Sequence, residues 1–161
     1  MSIHFRIGEG WDIHALVPGR PLVLGGAHIP HSKGLLGHSD ADALAHAITD
    51  ALLGAAGLGD IGRMFPDTDP LHAGADSMQL LKQAGVRIAD LGWQVHNIDA
   101  TVVAQEPRLA AHMPVMARQL AQALGIEVGQ INVKAKTAEK FGPVGQGQAI
   151  EARAVALISR P

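Results

Sequence analysis

Cysteine is absent from this chain of 161 residues, so disulfides and thiolate metal sites are excluded. That lack is compatible with a reducing compartment. Net charge is small as well: 13 Lys and Arg against 15 Asp and Glu give −2, which leaves no electrostatic footprint for nucleic acid or an anionic membrane. No apolar run reaches the roughly 20 residues that span a bilayer. Met1–Arg6 lacks the basic segment and following apolar stretch of a secretory leader. A soluble cytoplasmic protein is expected. Repeats, low-complexity tracts and linkers are also missing, so residues 1–161 read as one domain.

Against these absences stand 47% apolar and 17% charged residues, a globular composition. The 19 glycines imply many turns or close backbone approaches, and nine scattered histidines invite a search for clusters. Residues 3–14 read as extended. Leu22–Leu24 and Ala27–Ile29 flank Gly25-Gly26 as a tight hairpin, and residues 30–37 read as loop. Ser39 or Asp40 is placed to cap a helix reaching about Leu53, with Leu44, Ile48, Ala51 and Leu52 as its buried stripe. Residues 54–69 read as loop, and a second helix begins near Asp76. Residues 95–104 alternate as a strand, a third helix spans about 109–124, and 131–137 and 149–158 are strands. The sum is an α/β (α+β) domain: a mixed sheet with helices on its small apolar face of Ile150, Ala152, Ala154, Ala156 and Ile158. Its other face is expected to be polar, with Glu151, Arg153, Asn97, Asp99 and Lys134, and to meet water or a neighbouring subunit.

Asp12 and His14 lie two apart on an extended segment, so both side chains point the same way. With His46 on the first helix they form a carboxylate–imidazole set that suits Zn²⁺ with a fourth position open; alternatively His46 is a helix histidine bonded to a carbonyl. Asp42 and Asp50, at i−4 and i+4 from His46, are either outer partners of that histidine or a solvated face. Gly37-His38-Ser39-Asp40 precedes a helix N-terminus, where an anion or simple capping is expected. Asp60-Ile61-Gly62 and Phe65-Pro66-Asp67-Thr68-Asp69 supply carboxylates for sugar hydroxyls or for Asx-turns. Thr137 could donate to a phosphate oxygen, and Glu139 could hold a hard divalent cation.

In this order and spacing, Asp12-Ile13-His14, Gly37-His38-Ser39-Asp40, residues 44–54 around His46, Leu58-Gly59-Asp60-Ile61-Gly62, Phe65-Pro66-Asp67-Thr68-Asp69 and Asn132-Val133-Lys134-Ala135 resemble the cyclodiphosphate synthase family of the methylerythritol phosphate route to isoprenoids. The resemblance runs nearly end to end. It implies conversion of 4-diphosphocytidyl-2-C-methyl-D-erythritol 2-phosphate to 2-C-methyl-D-erythritol 2,4-cyclodiphosphate with release of CMP. It implies one Zn²⁺ per subunit on Asp12, His14 and His46, and a Mg²⁺ or Mn²⁺ on Glu139 bridging substrate phosphates. His38 and Thr137 are implied as catalytic. Substrate contacts are implied at Asp12, His14, His38, Ser39, Asp60, Ile61, Gly62, Phe65, Asp67, Asp69, Ala104, Pro107, Arg108, Leu109, Ala110, Lys136, Thr137 and Glu139. The partners implied are a CDP-linked small molecule and two further copies of the chain, a homotrimer with sites between subunits.

The chain departs from the family pattern where Lys136 and Ala138 flank a single Thr137, and where Pro143 and Gln146 replace an aromatic and an arginine. A metal-dependent phosphohydrolase, with zinc activating water, and a non-catalytic trimeric binding protein are the rival readings.

Overall fold

The computed structural model describes residues 2–161. Its central sheet holds, in spatial order, β4 (Lys33–Leu35), β1 (His4–Pro18), β7 (Ala149–Arg160), β5 (Gln94–Val103) and β6 (Ile131–Lys136). Only β5 and β6 run parallel, so the sheet is mixed as expected. A separate hairpin joins β2 (Leu22–Leu24) to β3 (Ala27–Ile29). Helices α1 (Ala43–Ala56), α2 (Ile61–Met64), α3 (Ser77–Asp90), α4 (Met113–Leu124) and α5 (Gly142–Gly145) complete the α+β domain. Among the described residues no helix is long and apolar enough to cross a membrane.

Strand β1 explains the geometry of the molecule. It pairs with β7 from His4 to Ala15, with Asp12 opposite Ala152 and His14 opposite Ile150. Side chains alternate across the sheet, so Gly8, Gly10, Asp12 and His14 share the face that α1 covers. Residues Gly8 and Gly10 have no side chain there because there is no room for one. A Cβ on Gly10 would stand 1.8 Å from the Ala47 carbonyl oxygen, and one on Gly8 2.0 Å from that of Ala51. Ala100, Ala152, Ala154 and Ala156 continue the shallow floor, all buried. The helix answers with small residues of its own, Ala47, Ala51 and Ala55, and lies sunk in the core. Within α1 only His46, Asp50 and Gly54, spaced one turn apart, escape full burial.

The start of α1 differs from expectation. Its cap is Asp42 rather than Ser39 or Asp40, and the helix continues past Leu53 to Ala56. Asp42 is fully buried, not solvated, and meets His46 only through the backbone, where His46 N donates to Asp42 O at 3.0 Å. Its carboxylate accepts from Ala45 N (3.0 Å), Gly25 N (2.9 Å) and Gly26 N (2.8 Å). One side chain thus caps the helix and locks the Gly25-Gly26 turn, whose φ angles of 57° and 75° favour glycine. Burial pushes this carboxyl up, and the three N–H donors draw it back toward the charged form.

Other boundaries shift in the same way. The stretch 30–37 holds β4, paired with the end of β1. The stretch 54–69 holds the last turn of α1 and all of α2. The 109–124 segment splits into a short 3-10 turn at Ala110–His112 and α4 from Met113. The second sheet face is also less polar than expected. Beside Glu151, Arg153, Asp99 and Lys134 it carries Phe5 (57% exposed), Ile7 (74%), Trp11 (48%) and Val155 (48%).

The close contact predicts an asymmetric response to adding one methyl group. Gly10→Ala should lower the urea midpoint by an amount worth about 1–3 kcal/mol or more, the usual cost of overpacking. Gly54→Ala meets nothing nearer than 3.9 Å and should stabilise α1 by roughly 0.5–1 kcal/mol. Equal midpoints for the two variants would contradict the packing described.

Candidate active site and metal centre

Because α1 lies so near β1, His46 meets Asp12 and His14. Asp12 Oδ2 stands 2.8 Å from His14 Nε2 and 3.0 Å from His46 Nδ1, and the two ring nitrogens are 3.4 Å apart. These three form a group of converging donors able to hold a metal ion. Donor atoms about 2 Å from a tetrahedral ion stand roughly 3.3 Å from one another. The imidazole pair has that spacing and the carboxylate sits slightly inside it. His14 Nδ1 donates to Leu36 O at 2.8 Å, which leaves Nε2 with its lone pair toward the cluster. Two neutral imidazoles and a carboxylate are a borderline-soft set that fits Zn²⁺.

Burial works against charge on both partners of the Asp12–His14 pair. For Asp12 it raises the carboxyl, but in the metal-free site His14 and His46, each able to take a second proton on the nitrogen that faces Asp12, outweigh it by hydrogen bonding and leave the group below its ordinary value. For His14 burial lowers the imidazole, and the bond to Asp12 outweighs that and lifts it above 6.5. Asp50 lies on the open side of α1 and its carboxylate does not bond the His46 ring. Its Oδ1 accepts from Ile61 N at 2.7 Å and so pins the start of α2 beside the cluster. Burial raises its carboxyl, partly offset by that N–H.

The cluster opens into a cavity of about 350 Å³ lined by His14, His38, Ser39, His46, Ile61, Gly62, Phe65, Asp67 and His72, with Leu80 at its floor. Asp60 and Asp69 are not part of that lining. Asp60 caps α2 by accepting from Arg63 N (2.8 Å), and Asp69 accepts from Leu71 N (3.0 Å), the Asx chemistry expected as the alternative. His72, unremarked in the sequence, packs edge-on against Phe65 with ring centres 5.4 Å apart.

The remaining expected residues gather elsewhere. Ala104, Pro107, Arg108, Leu109, Ala110, Lys136 and Thr137 line a second cavity of about 210 Å³. Glu139 adjoins it through Thr137, whose hydroxyl donates to Glu139 Oε1 at 2.5 Å. Glu139 and Lys140 both have left-handed backbones (φ 51° and 65°), which is costly for side-chain-bearing residues and persists where the surroundings enforce it. Gly145 packs directly against this pair, since a Cβ there would lie 2.3 Å from the Lys140 carbonyl carbon. The expected residues thus fall around two separate hollows, one with the donor cluster and one without. A roomier groove of about 620 Å³ between the β2–β3 hairpin, α3 and α4 gathers no donor cluster among the described residues.

Residues 5–159 match the YgbB family. The chain belongs to that family. Among its members, the 2-C-methyl-D-erythritol 2,4-cyclodiphosphate synthase of Verminephrobacter eiseniae is 66% identical over 158 residues, covering 97% of this chain and 86% of the relative. A solved structure of a 2C-methyl-D-erythritol-2,4-cyclodiphosphate synthase in a CDP-bound form superposes with TM-score 0.88 at 39% identity, covering 95% of this chain and 99% of that one. The bifunctional IspDF of Campylobacter jejuni gives TM-score 0.95 at 42% identity, over 99% of this chain but 43% of its own length. The YgbB match spans both hollows, so residues of each lie within the family region.

The pair of opposed shifts sets a pH window for the metal-free protein. Asp12, depressed, contributes stability above about pH 4 that is lost as pH falls through its folded value. His14, raised, contributes stability below about pH 6.5 that is lost as pH rises through its folded value. With zinc removed by chelator, the melting temperature should therefore decline above neutrality, and stoichiometric Zn²⁺ should restore it there. A decline unaffected by zinc would contradict the metal-centre geometry.

Proposed function

We propose that this protein converts 4-diphosphocytidyl-2-C-methyl-D-erythritol 2-phosphate to the 2,4-cyclodiphosphate and CMP. The Asp12–His14–His46 donor cluster, opening into the cavity that holds Ser39 and Asp67, carries the reading, and the high identity to named synthases supports it. An oxygen of the 2-phosphate attacks the β-phosphorus. The bond from that phosphorus to the α-phosphate oxygen breaks, and its electron pair leaves with CMP. The nucleophile is already ionised, so no strong protein base is needed, and catalysis is positioning plus charge neutralisation.

Asp12, His14 and His46 would hold Zn²⁺, and Glu139 a Mg²⁺ or Mn²⁺; the ions would supply charge neutralisation at the phosphates. His38 and Ser39 orient the 2-phosphate end. Asp67, Gly62 and Ile61 bind the methylerythritol portion, with Phe65 walling the cavity. Asp60 and Asp69, spent on capping, act by shaping that loop. The 104–110 segment receives the cytosine in the second cavity, and Lys136 and Thr137 at its rim face the phosphates, Thr137 stabilising charge on the transferring group.

The two hollows are joined, in this reading, by assembly. A cyclic trimer would bury the exposed Phe5, Ile7, Trp11 and Val155, an apolar patch of the kind that marks an interface. Head-to-tail contact would set the zinc side of one subunit against the nucleotide side of the next.

Purified protein with the CDP-linked substrate and Mg²⁺ should release CMP; folded, zinc-loaded protein that releases none would overturn the reading. His46→Ala and Thr137→Ala should each be nearly inactive. Co-refolded in equal amounts they should regain about a quarter of the sites, the fraction in which an intact zinc side meets an intact nucleotide side by random mixing. Mixed trimers without recovery would place the site within one subunit.

A further inference from the structure

We propose that Ser77 and Asp40 are positioning residues for the metal centre, holding the His46 ring so that its Nδ1 faces the donor cluster. This rests on the metal reading above. His46 Nε2, the nitrogen turned away from Asp12 and His14, lies 2.7 Å from Ser77 Oγ. Ser77 is the first residue of α3 and is fully buried. Its hydroxyl donates to Asp40 Oδ1, and its backbone N–H donates to Asp40 Oδ2 at 3.1 Å. Asp40 is itself pinned, since Oδ1 also accepts from Asp42 N at 3.1 Å and its own N–H donates to Ala75 O at 3.2 Å.

Along the line from His46 through Ser77 to Asp40, the direction of the bonds follows from counting protons. An ionised carboxylate only accepts, so the single hydroxyl proton of Ser77 is committed to Asp40. Ser77 Oγ can then only accept from the imidazole, which makes Nε2 the protonated nitrogen of His46. Nδ1 keeps its lone pair, aimed at Asp12 Oδ2 and His14 Nε2. Ser39 Oγ also approaches Nε2 at 3.3 Å and Ser77 Oγ at 3.5 Å, and it already accepts from Ala41 N at 3.1 Å. Both approaches are longer and weaker than the 2.7 Å bond between the ring and Ser77, and Ser39 also lines the cavity. The arrangement mirrors that of His14, whose Nδ1 donates to Leu36 O. Both imidazoles are therefore held from behind, one by a backbone carbonyl and one by a serine that a carboxylate has turned into an acceptor. Such outer hydrogen bonds fix ring orientation and typically change metal affinity 10–100-fold.

The test uses the full-length protein and Zn²⁺ as the probe. Chelator competition should show Ser77→Ala and Asp40→Asn binding zinc about 10–100-fold more weakly than wild type. In NMR spectra of the zinc-loaded protein, the His46 Nε2–H proton should be protected from exchange and should vanish in Ser77→Ala, with the His14 Nδ1–H signal as an unchanged internal control. A merely structural loss would move both signals together with the melting temperature. Undiminished zinc affinity in folded Ser77→Ala, or a His46 Nε2–H signal that persists in it, would overturn the proposal. If wild type took up no zinc the metal reading itself would fail, and the same NMR comparison in metal-free protein would still decide whether Ser77 holds the ring.

Discussion

The backbone of one helix rests almost directly on the backbone of one strand, and the candidate site depends on that contact. Where α1 crosses β1, the Ala47 carbonyl occupies the space a side chain on Gly10 would need, and the Ala51 carbonyl does the same at Gly8. The floor beside them is alanine from β5 and β7. Small residues on both partners bring the helix axis down, and dispersion and burial reward the close fit. The result at the next positions along β1 is that Asp12 and His14, which do have side chains, meet His46 within hydrogen-bond distance. A helix seated higher would leave the same three residues too far apart to share an ion.

From that contact the remaining organisation radiates. Asp42 ties the helix start to the β2–β3 turn, Asp50 ties its middle to α2, and Asp40 ties the approach segment to α3 through Ser77. Three carboxylates, at positions 40, 42 and 50, thus do three different structural tasks around one histidine of the candidate metal site. The second hollow is built separately, from the end of β5 and the turn after β6, beside the left-handed pair Glu139–Lys140. The sheet face opposite α1 carries the exposed apolar residues Phe5, Ile7, Trp11 and Val155.

Much of this was legible from local pattern. The hairpin at Gly25-Gly26 matches its expected bounds, since glycine pairs demand that turn, and Asp76 caps α3 where the sequence placed its start. The Asp12, His14 and His46 grouping was readable because period-two and helical spacing assign faces. What escaped was set by long-range choice. Several side chains before α1 could cap it, and only the hairpin's need for an acceptor selects Asp42. Strand β4 is three residues long and exists because the end of β1 pairs with it. Phe5, Ile7 and Trp11 alternate with Arg6, Gly8 and Gly10, so the apolar run of one face was hidden by the glycines of the other. Ser77 carries no signal beyond following a cap; its role appears only once α3 lies beside His46.

The chemistry proposed differs from hydrolysis in one respect that can be read directly. Cyclisation transfers the β-phosphorus to an oxygen already present in the substrate, whereas a metal-activated water would enter a product. The decisive measurement is to run the reaction in water enriched in the heavy oxygen isotope and weigh both products by mass spectrometry. The account predicts CMP and a cyclic diphosphate that carry no solvent oxygen. A linear diphosphate, or label in either product at the moment of its formation, would contradict it.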